Sequence, residues 1–140
     1  MASRLSLVLR NHLSELERMS ETVSVWCKEN GVSAAAEFHV NLALDEIVSN
    51  IIRYGWKDGG EHQLHVCLSH LANEIIVEVE DDATAFNPLE VPAPDLDRPL
   101  DERLVGGLGI HLVRQVMDGL DYRRLDGKNL LVMKKKTGGT

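Results

Sequence analysis

The stretch that decides the architecture is His62-Gln63-Leu64-His65-Val66-Cys67-Leu68-Ser69, followed after residues 70–73 by Glu74-Ile75-Ile76-Val77-Glu78-Val79-Glu80. Leu64, Val66 and Leu68 alternate with less apolar residues in the first run, and Ile75, Val77 and Val79 do so in the second. A period of two belongs to a strand with one face buried. The short link between the runs makes them a hairpin.

The same signals extend in both directions. Downstream, residues 120–125 and 130–134 flank Asp126-Gly127, a second hairpin with its turn. Upstream, Leu5, Leu7 and Leu9 alternate as a strand. Ser14-Glu15-Leu16-Glu17 has the form of a capping box. Leu16, Met19, Val23 and Trp26 follow at helical spacing, with Gly31 as the stop. Ser33 caps a second helix running to Tyr54-Gly55. Its apolar residues Val40, Ala43, Leu44, Ile47, Val48, Ile51 and Ile52 cover most of its circumference, so it is buried on several sides. Gly106-Gly107-Leu108-Gly109 opens a third helix with Leu112, Val113, Val116 and Met117 as its core face and Gly119 as its stop. The order β-α-α-β-β-loop-α-β-β pairs the strands locally. It predicts an α+β two-layer sandwich, helices on one face of a mixed, mostly antiparallel sheet, in a single domain over residues 1–140. Periodicity vanishes over residues 83–105, where all four prolines fall. A segment of that kind in a small domain is a lid, a binding loop or disordered.

Composition narrows the function. The 140 residues are 44% apolar and 26% charged, a globular balance, with a net charge of −7. Such a chain repels phosphate backbones, so direct nucleic-acid binding is not expected. The basic run Lys134-Lys135-Lys136 reads as a protected strand edge. Cys27 and Cys67 are too few for a disulfide framework and read as reduced and buried in a cytoplasmic protein. No secretory signal and no membrane-length apolar run is visible. Of the six histidines, none joins a set with zinc-ligand spacing.

Three segments carry residues suited to chemistry. Glu46 and Asn50 are four apart and share one face of the second helix, with Arg53 three further on. Buried without partners they are costly; facing water they are ordinary. Glu80-Asp81-Asp82 ends a strong strand, as a solvated terminus or as a carboxylate offered to a ligand. The glycine turn at 106–109 is either a hinge or a place where free helix amides meet an anion. It matches neither a P-loop nor a Rossmann fingerprint.

Together these segments resemble the GHKL ATPase superfamily (Bergerat fold), and within it the single-domain anti-sigma-factor serine/threonine kinases of the histidine-kinase-like class. Residues 43–50, ALDEIVSN, are similar to the N box. Residues 80–88, EDDATAFNP, are similar to the adenine box, and residues 106–114, GGLGIHLVR, to the glycine box. The resemblance implies ATP and Mg²⁺ as cofactors. Glu46 is then the catalytic base, and Asn50 gives its side-chain oxygen to Mg²⁺. Asp81 accepts a bond from the adenine amino group. Ala83 and Phe86 belong to the base site, and Gly106, Gly107, Leu108 and Gly109 form the phosphate turn. Arg53 faces a phosphate or an acidic partner residue. Residues 83–105 are the ATP lid. Ala83 departs from the glycine usual there, which argues for weaker ATP binding.

The implied function is a regulatory kinase that phosphorylates a small anti-sigma-factor antagonist and alternately binds a sigma factor, with no membrane role and with homodimerisation possible in this branch. Sensor histidine kinases and gyrase-like ATPases need further chain upstream or downstream. The alternative is a non-catalytic ATP- or partner-binding module of the same fold, although retention of Glu46 argues for transfer.

Overall fold

The structure, a computed structural model, describes residues 3–92 and 107–137. Gly106 and residues 93–105 of the expected lid lie outside the described residues. The elements are β1 (Ser3–Arg10), α1 (Glu15–Glu29), α2 (Ala34–Tyr54), β2 (Gln63–Leu71), β3 (Glu74–Asp81), α3 (Gly107–Val116), β4 (Gly119–Leu125) and β5 (Lys128–Lys136), with a short 3₁₀ turn at Pro88–Glu90. The five strands lie in the order β1-β2-β3-β5-β4. The mostly antiparallel sheet expected from the sequence is antiparallel in all four of its pairings.

Alternation along the strands sends Leu7, Leu9, Leu64, Val66, Leu68, Ile75, Val77, Val79, Leu131 and Met133 into one buried face, where the helices pack. The opposite face carries Ser6, His65, Cys67, Glu78 and Glu80 and has no helix on it among the described residues. α2 touches α1, α3 and the strands β3 and β5, which is why so much of its circumference is apolar. Val40, Ala43, Leu44, Ile47 and Val48 are buried there. Each large aliphatic side chain so buried stabilises the fold by roughly 1.5–3 kcal/mol.

Local chemistry fixes the element ends. Ser33 Oγ accepts the amide of Ala36 at 3.2 Å and caps α2. α1 closes with the amides of Gly31 and Val32 on the carbonyls of Lys28 and Cys27, and Gly31 at φ 67° supplies the left-handed residue this closure needs. Both hairpin turns are left-handed at both central positions: Ala72 and Asn73 at φ 52° and 64°, Asp126 and Gly127 at 53° and 76°. That geometry matches the twist of the flanking strands.

Several expectations are corrected. Ser14 is helical itself and makes no side-chain cap bond. The first amides of α1, on Glu15 and Leu16, instead meet the carbonyls of His12 and Leu13, so no capping box forms. His62 lies before β2, its ring stacked on Trp56 at 4.8 Å. Leu112 is exposed, and Ile110 and Val113 form the buried face of the third helix, continued by Met117 just past its end. That helix ends at Val116, and Gly119 opens β4 rather than closing it. Cys27 is buried and its thiol is pushed up to about 11, by burial first, so it stays protonated at neutral pH. Cys67 is only half-buried, on the open sheet face, with Arg4 Nε at 3.0 Å.

Glu15, read from the sequence as part of the capping box, ties the sheet to α1. Its carboxylate accepts Arg18 Nε at 2.9 Å and the Arg10 amide at 3.0 Å, while Arg18 also donates to the Val8 carbonyl. The bond from Arg18, and then that from Arg10, holds the carboxyl at about 2 instead of the ordinary 4.5. A depressed carboxyl stabilises the fold fully above its unfolded value and loses that contribution as pH falls from about 4.5 towards 2. Glu15→Gln therefore loses about 1.5–3 kcal/mol at neutral pH. Urea unfolding at pH 7 and at pH 2.5 checks this, since the gap between the two proteins narrows sharply at the lower pH.

Candidate nucleotide site

Where α2 ends beside the sheet, the apolar layer opens into a cavity of about 680 Å³. Its walls include Ile47 and Ile51 of α2, Val79 of β3, Ile110 of α3 and Leu131 of β5. Exposed Tyr54 and Phe86 also line it. The polar groups reaching it include Asn50, Asp81, Thr84, Tyr122 and Asn129. A pocket of this size with mostly apolar walls and a few placed polar groups suits a planar organic ligand.

Asp81 follows the parity of Ile75, Val77 and Val79, so strand alternation carries its carboxylate into the apolar layer at 4% exposure. Burial raises its pKa above the usual carboxylate value. The bonds from Asn129 and Ala83 oppose the rise, Asp82 adds to it and Arg124 opposes it. Oδ1 accepts Asn129 Nδ2 at 2.8 Å and the Ala83 amide at 3.0 Å. The chain then turns across the end of α2, with the Thr84 amide on the Gly55 carbonyl at 3.0 Å and Arg124 Nη1 on the Ala83 carbonyl at 2.8 Å. Trp56 Nε1 holds Asp82 at 3.0 Å on the far side. Beyond Phe86, Asn87 Oδ1 caps the 3₁₀ turn through the Leu89 amide, and Arg114 of α3 grips the Leu89 and Val91 carbonyls.

Ala83 lines the cavity and is buried. A methyl added to Gly55 would come within 2.8 Å of Ala83 Cβ and 2.5 Å of the Ile51 carbonyl oxygen. Ala83 is thus packed against a position left bare by glycine. Gly55→Ala destabilises the chain by about 1–3 kcal/mol through overpacking. Adding Ala83→Gly recovers part of that loss, since one of the two overlaps disappears. A double-mutant cycle by denaturant unfolding measures the coupling.

Glu46 and Arg53 do not line this cavity. Glu46 stands one turn before Asn50 and is half-buried. Burial and the adjacent Asp45 raise its pKa, and Arg53 opposes them. A Cβ on Gly109 would overlap the Glu46 carboxyl, its Cδ lying 2.7 Å away, so the first turn of α3 meets α2 at this carboxylate. Gly107 and Leu108 begin that turn. Arg53 is exposed beyond Asn50. Glu46 and Gly109, sixty-three positions apart, are thereby brought together, and Asn50, Asp81, Ala83 and Phe86 share the neighbouring cavity. Among the described residues, no three His, Cys, Asp or Glu side chains gather as a metal centre.

Residues 9–135 match the family model for the histidine kinase-like ATPase domain. The chain belongs to the histidine kinase-like ATPase domain family. The relatives of this ATPase domain include the serine/threonine-protein kinase BtrW of Bordetella bronchiseptica, 33% identical over 101 residues, 72% of this chain and 71% of that one. The fold matches the structure of the RsbU and RsbW domains of Rv1364c from Mycobacterium tuberculosis with a TM-score of 0.68 at 12% identity. That match covers 96% of this chain and 32% of the other, so the ATPase domain spans about a third of that protein. A histidine kinase domain from the blue-light activated histidine kinase of Erythrobacter litoralis matches with a TM-score of 0.55 at 14% identity, over 89% and 60% of the two chains. Among the described residues, no helix of the ATPase domain is long and apolar enough to cross a membrane.

Asn129, Tyr122 and Arg124 were not singled out from the sequence. The available signal was parity. Asn129 falls in step with Leu131 and Met133, so a polar side chain occupies an inward position of a half-buried strand. Gly55 and Tyr54 carried no such signal, because their importance comes from where α2 ends against the turn after β3.

Proposed function

We propose that residues 1–140 form one ATP-binding domain, with residues 83–105 as its lid, that acts as a cytoplasmic serine/threonine protein kinase. It transfers the γ-phosphoryl group of ATP to a hydroxyl on a small anti-sigma-factor antagonist and alternately binds a sigma factor. The observation that carries this is the pairing of two sites: a mostly apolar cavity with one buried acceptor carboxylate, and a half-buried glutamate against the glycine turn that opens a helix.

In this reading Asp81 accepts the adenine amino group between the apolar walls, with Phe86 and Ala83 at the base. The backbone amides at the start of α3, around Gly107, Leu108 and Gly109, face the phosphates in this reading, where a helix N-terminus favours negative charge. The phosphate-binding role extends to Gly106 in this reading, and Arg53 lies where a phosphate or an acidic partner side chain approaches. Asn50 offers a hard amide oxygen of the kind Mg²⁺ accepts alongside phosphate oxygens and water. Held by Asn50, Mg²⁺ would supply neutralisation of phosphate charge. Glu46 accepts the proton of the attacking hydroxyl, and its raised pKa makes it a stronger base than a solvated glutamate. Phosphoryl transfer asks for little beyond such placement and charge neutralisation. A kinase relative at 33% identity supports transfer over mere binding.

The test is capture of partners from the source cell with and without ATP and Mg²⁺, followed by incubation with γ-labelled ATP and phosphosite mapping. The expected result is one small partner labelled on serine or threonine. ATP binding without any labelled protein would make the chain a non-catalytic module.

A further inference from the structure

The strand register sets Asn129 of β5 directly opposite Asp81 of β3. Asn129 is 6% exposed, and its amide is fully used. Nδ2 donates to Asp81 Oδ1 at 2.8 Å and to the Thr84 carbonyl at 3.1 Å, with the Ala83 carbonyl at 3.4 Å. Oδ1 accepts the Tyr122 hydroxyl and the Phe86 amide, the latter at 3.4 Å. An asparagine side chain has two N–H donors and one carbonyl oxygen with two lone pairs, so these five contacts exhaust it, with one N–H shared between two of its three acceptors.

The orientation of this amide follows from its backbone neighbours. The Phe86 amide can only donate, so it must meet Oδ1. The carbonyls of Thr84 and Ala83 can only accept, so they must meet Nδ2. A flipped side chain would set oxygen against two carbonyls and a carboxylate, and an NH₂ group against an N–H. The turn after β3 therefore dictates that Asn129 presents N–H to Asp81. Asp81 Oδ1 is then saturated by that bond and by the Ala83 amide, whereas Oδ2 accepts none among the described residues. Asp81 lines the cavity, so Oδ2 is the oxygen left for a ligand donor.

We propose that Asn129 is the positioning residue for base recognition: its amide, fixed by the backbone of residues 83–86, holds Asp81 with Oδ1 occupied and Oδ2 offered to the 6-amino group of adenine. Tyr122 supports it from behind. The assignment rests on the nucleotide reading above. Loosening Asn129 lets the Asp81 carboxylate rotate, and the chain then loses its preference for a 6-amino purine more than its affinity for the rest of the nucleotide.

Calorimetry with ATP and with purine riboside triphosphate, which lacks the 6-amino group, tests this on the whole chain. In the native protein ATP binds about tenfold or more tightly than the analogue, the yield of one well-made hydrogen bond. In Asn129→Ser the ratio falls to about twofold or less, while affinity for the analogue changes by less than about threefold. Tyr122→Phe leaves Asp81 and Asn129 in place and gives an intermediate ratio. A structural role alone would weaken both nucleotides alike. Equal weakening, or a ratio that stays tenfold in Asn129→Ser, overturns the assignment. Should Asn129→Ser not fold, an unchanged ratio in Tyr122→Phe does so. If the native chain binds neither nucleotide, the nucleotide reading itself falls and takes the assignment with it.

Discussion

Glu46→Gln is expected to transfer phosphate to its protein acceptor at least about a hundredfold more slowly than the native chain, while binding ATP nearly as well. General-base contributions run from roughly 10² to 10⁴. Glutamine keeps the length and helix fit of glutamate, and Glu46 does not line the base cavity, so neither folding nor the adenine contacts should suffer. On the proposed function, the lost step is proton acceptance from the attacking hydroxyl. Burial raises the Glu46 carboxyl, so transfer by the native chain should fall as the medium is acidified through that raised value, where the protonated form takes over. The glutamine variant lacks this acid limb. Single-turnover transfer from labelled ATP across pH reads both effects. An unchanged rate would reduce Glu46 to an ordinary helix residue.

Asp81→Asn should lower ATP affinity by about tenfold or more. The variant replaces one acceptor oxygen with an NH₂ group. If that group turns to the cavity it opposes the adenine amino group. If it turns inward it meets the Ala83 amide and Asn129 Nδ2, both of which are donors. Either way donors face donors in a buried place, at a cost of roughly 1–3 kcal/mol. Equal ATP affinity by calorimetry would remove Asp81 from the site. Because burial raises the Asp81 carboxyl, the variant should itself unfold no more readily than the native chain by more than this pairing loss.

Much of this was legible before any coordinates. Period-two runs around Leu64 to Leu68 and Ile75 to Val79 carried the antiparallel sheet, and the Asp126-Gly127 pair carried its second turn, because those signals are local. The second helix was readable as deeply buried from its apolar circumference. Illegible were features set by contacts between distant segments. Ser14 lost its capping role because the preceding turn already satisfies the first amides of α1. Leu112 and Ile110 exchanged places because the approach of α3 to α2, fixed at Glu46 and Gly109, decides which stripe of α3 is covered. The packing of Ala83 against Gly55 was hidden in the same way, since the two lie on different segments. Parity marked Asn129 as a polar residue at an inward position, but its register partner Asp81 was not legible.

That register has a consequence for how the chain assembles. β2 with β3 and β4 with β5 are each local hairpins that close over two-residue turns. Asp81 belongs to one hairpin and Asn129 to the other, 48 positions away, and they meet at the final rung of the seam between β3 and β5. Long-range pairing is the slow part of forming a sheet, because loop entropy is lost before contacts are gained. The acceptor carboxylate is therefore oriented only once the two hairpins have zipped together to the end. A nucleotide held by that carboxylate draws on the completed seam and, by mass action, stabilises it: at a hundred times its Kd a ligand adds about 2.7 kcal/mol. On the proposed function, nucleotide would therefore hold the two hairpins together as well as serve as substrate.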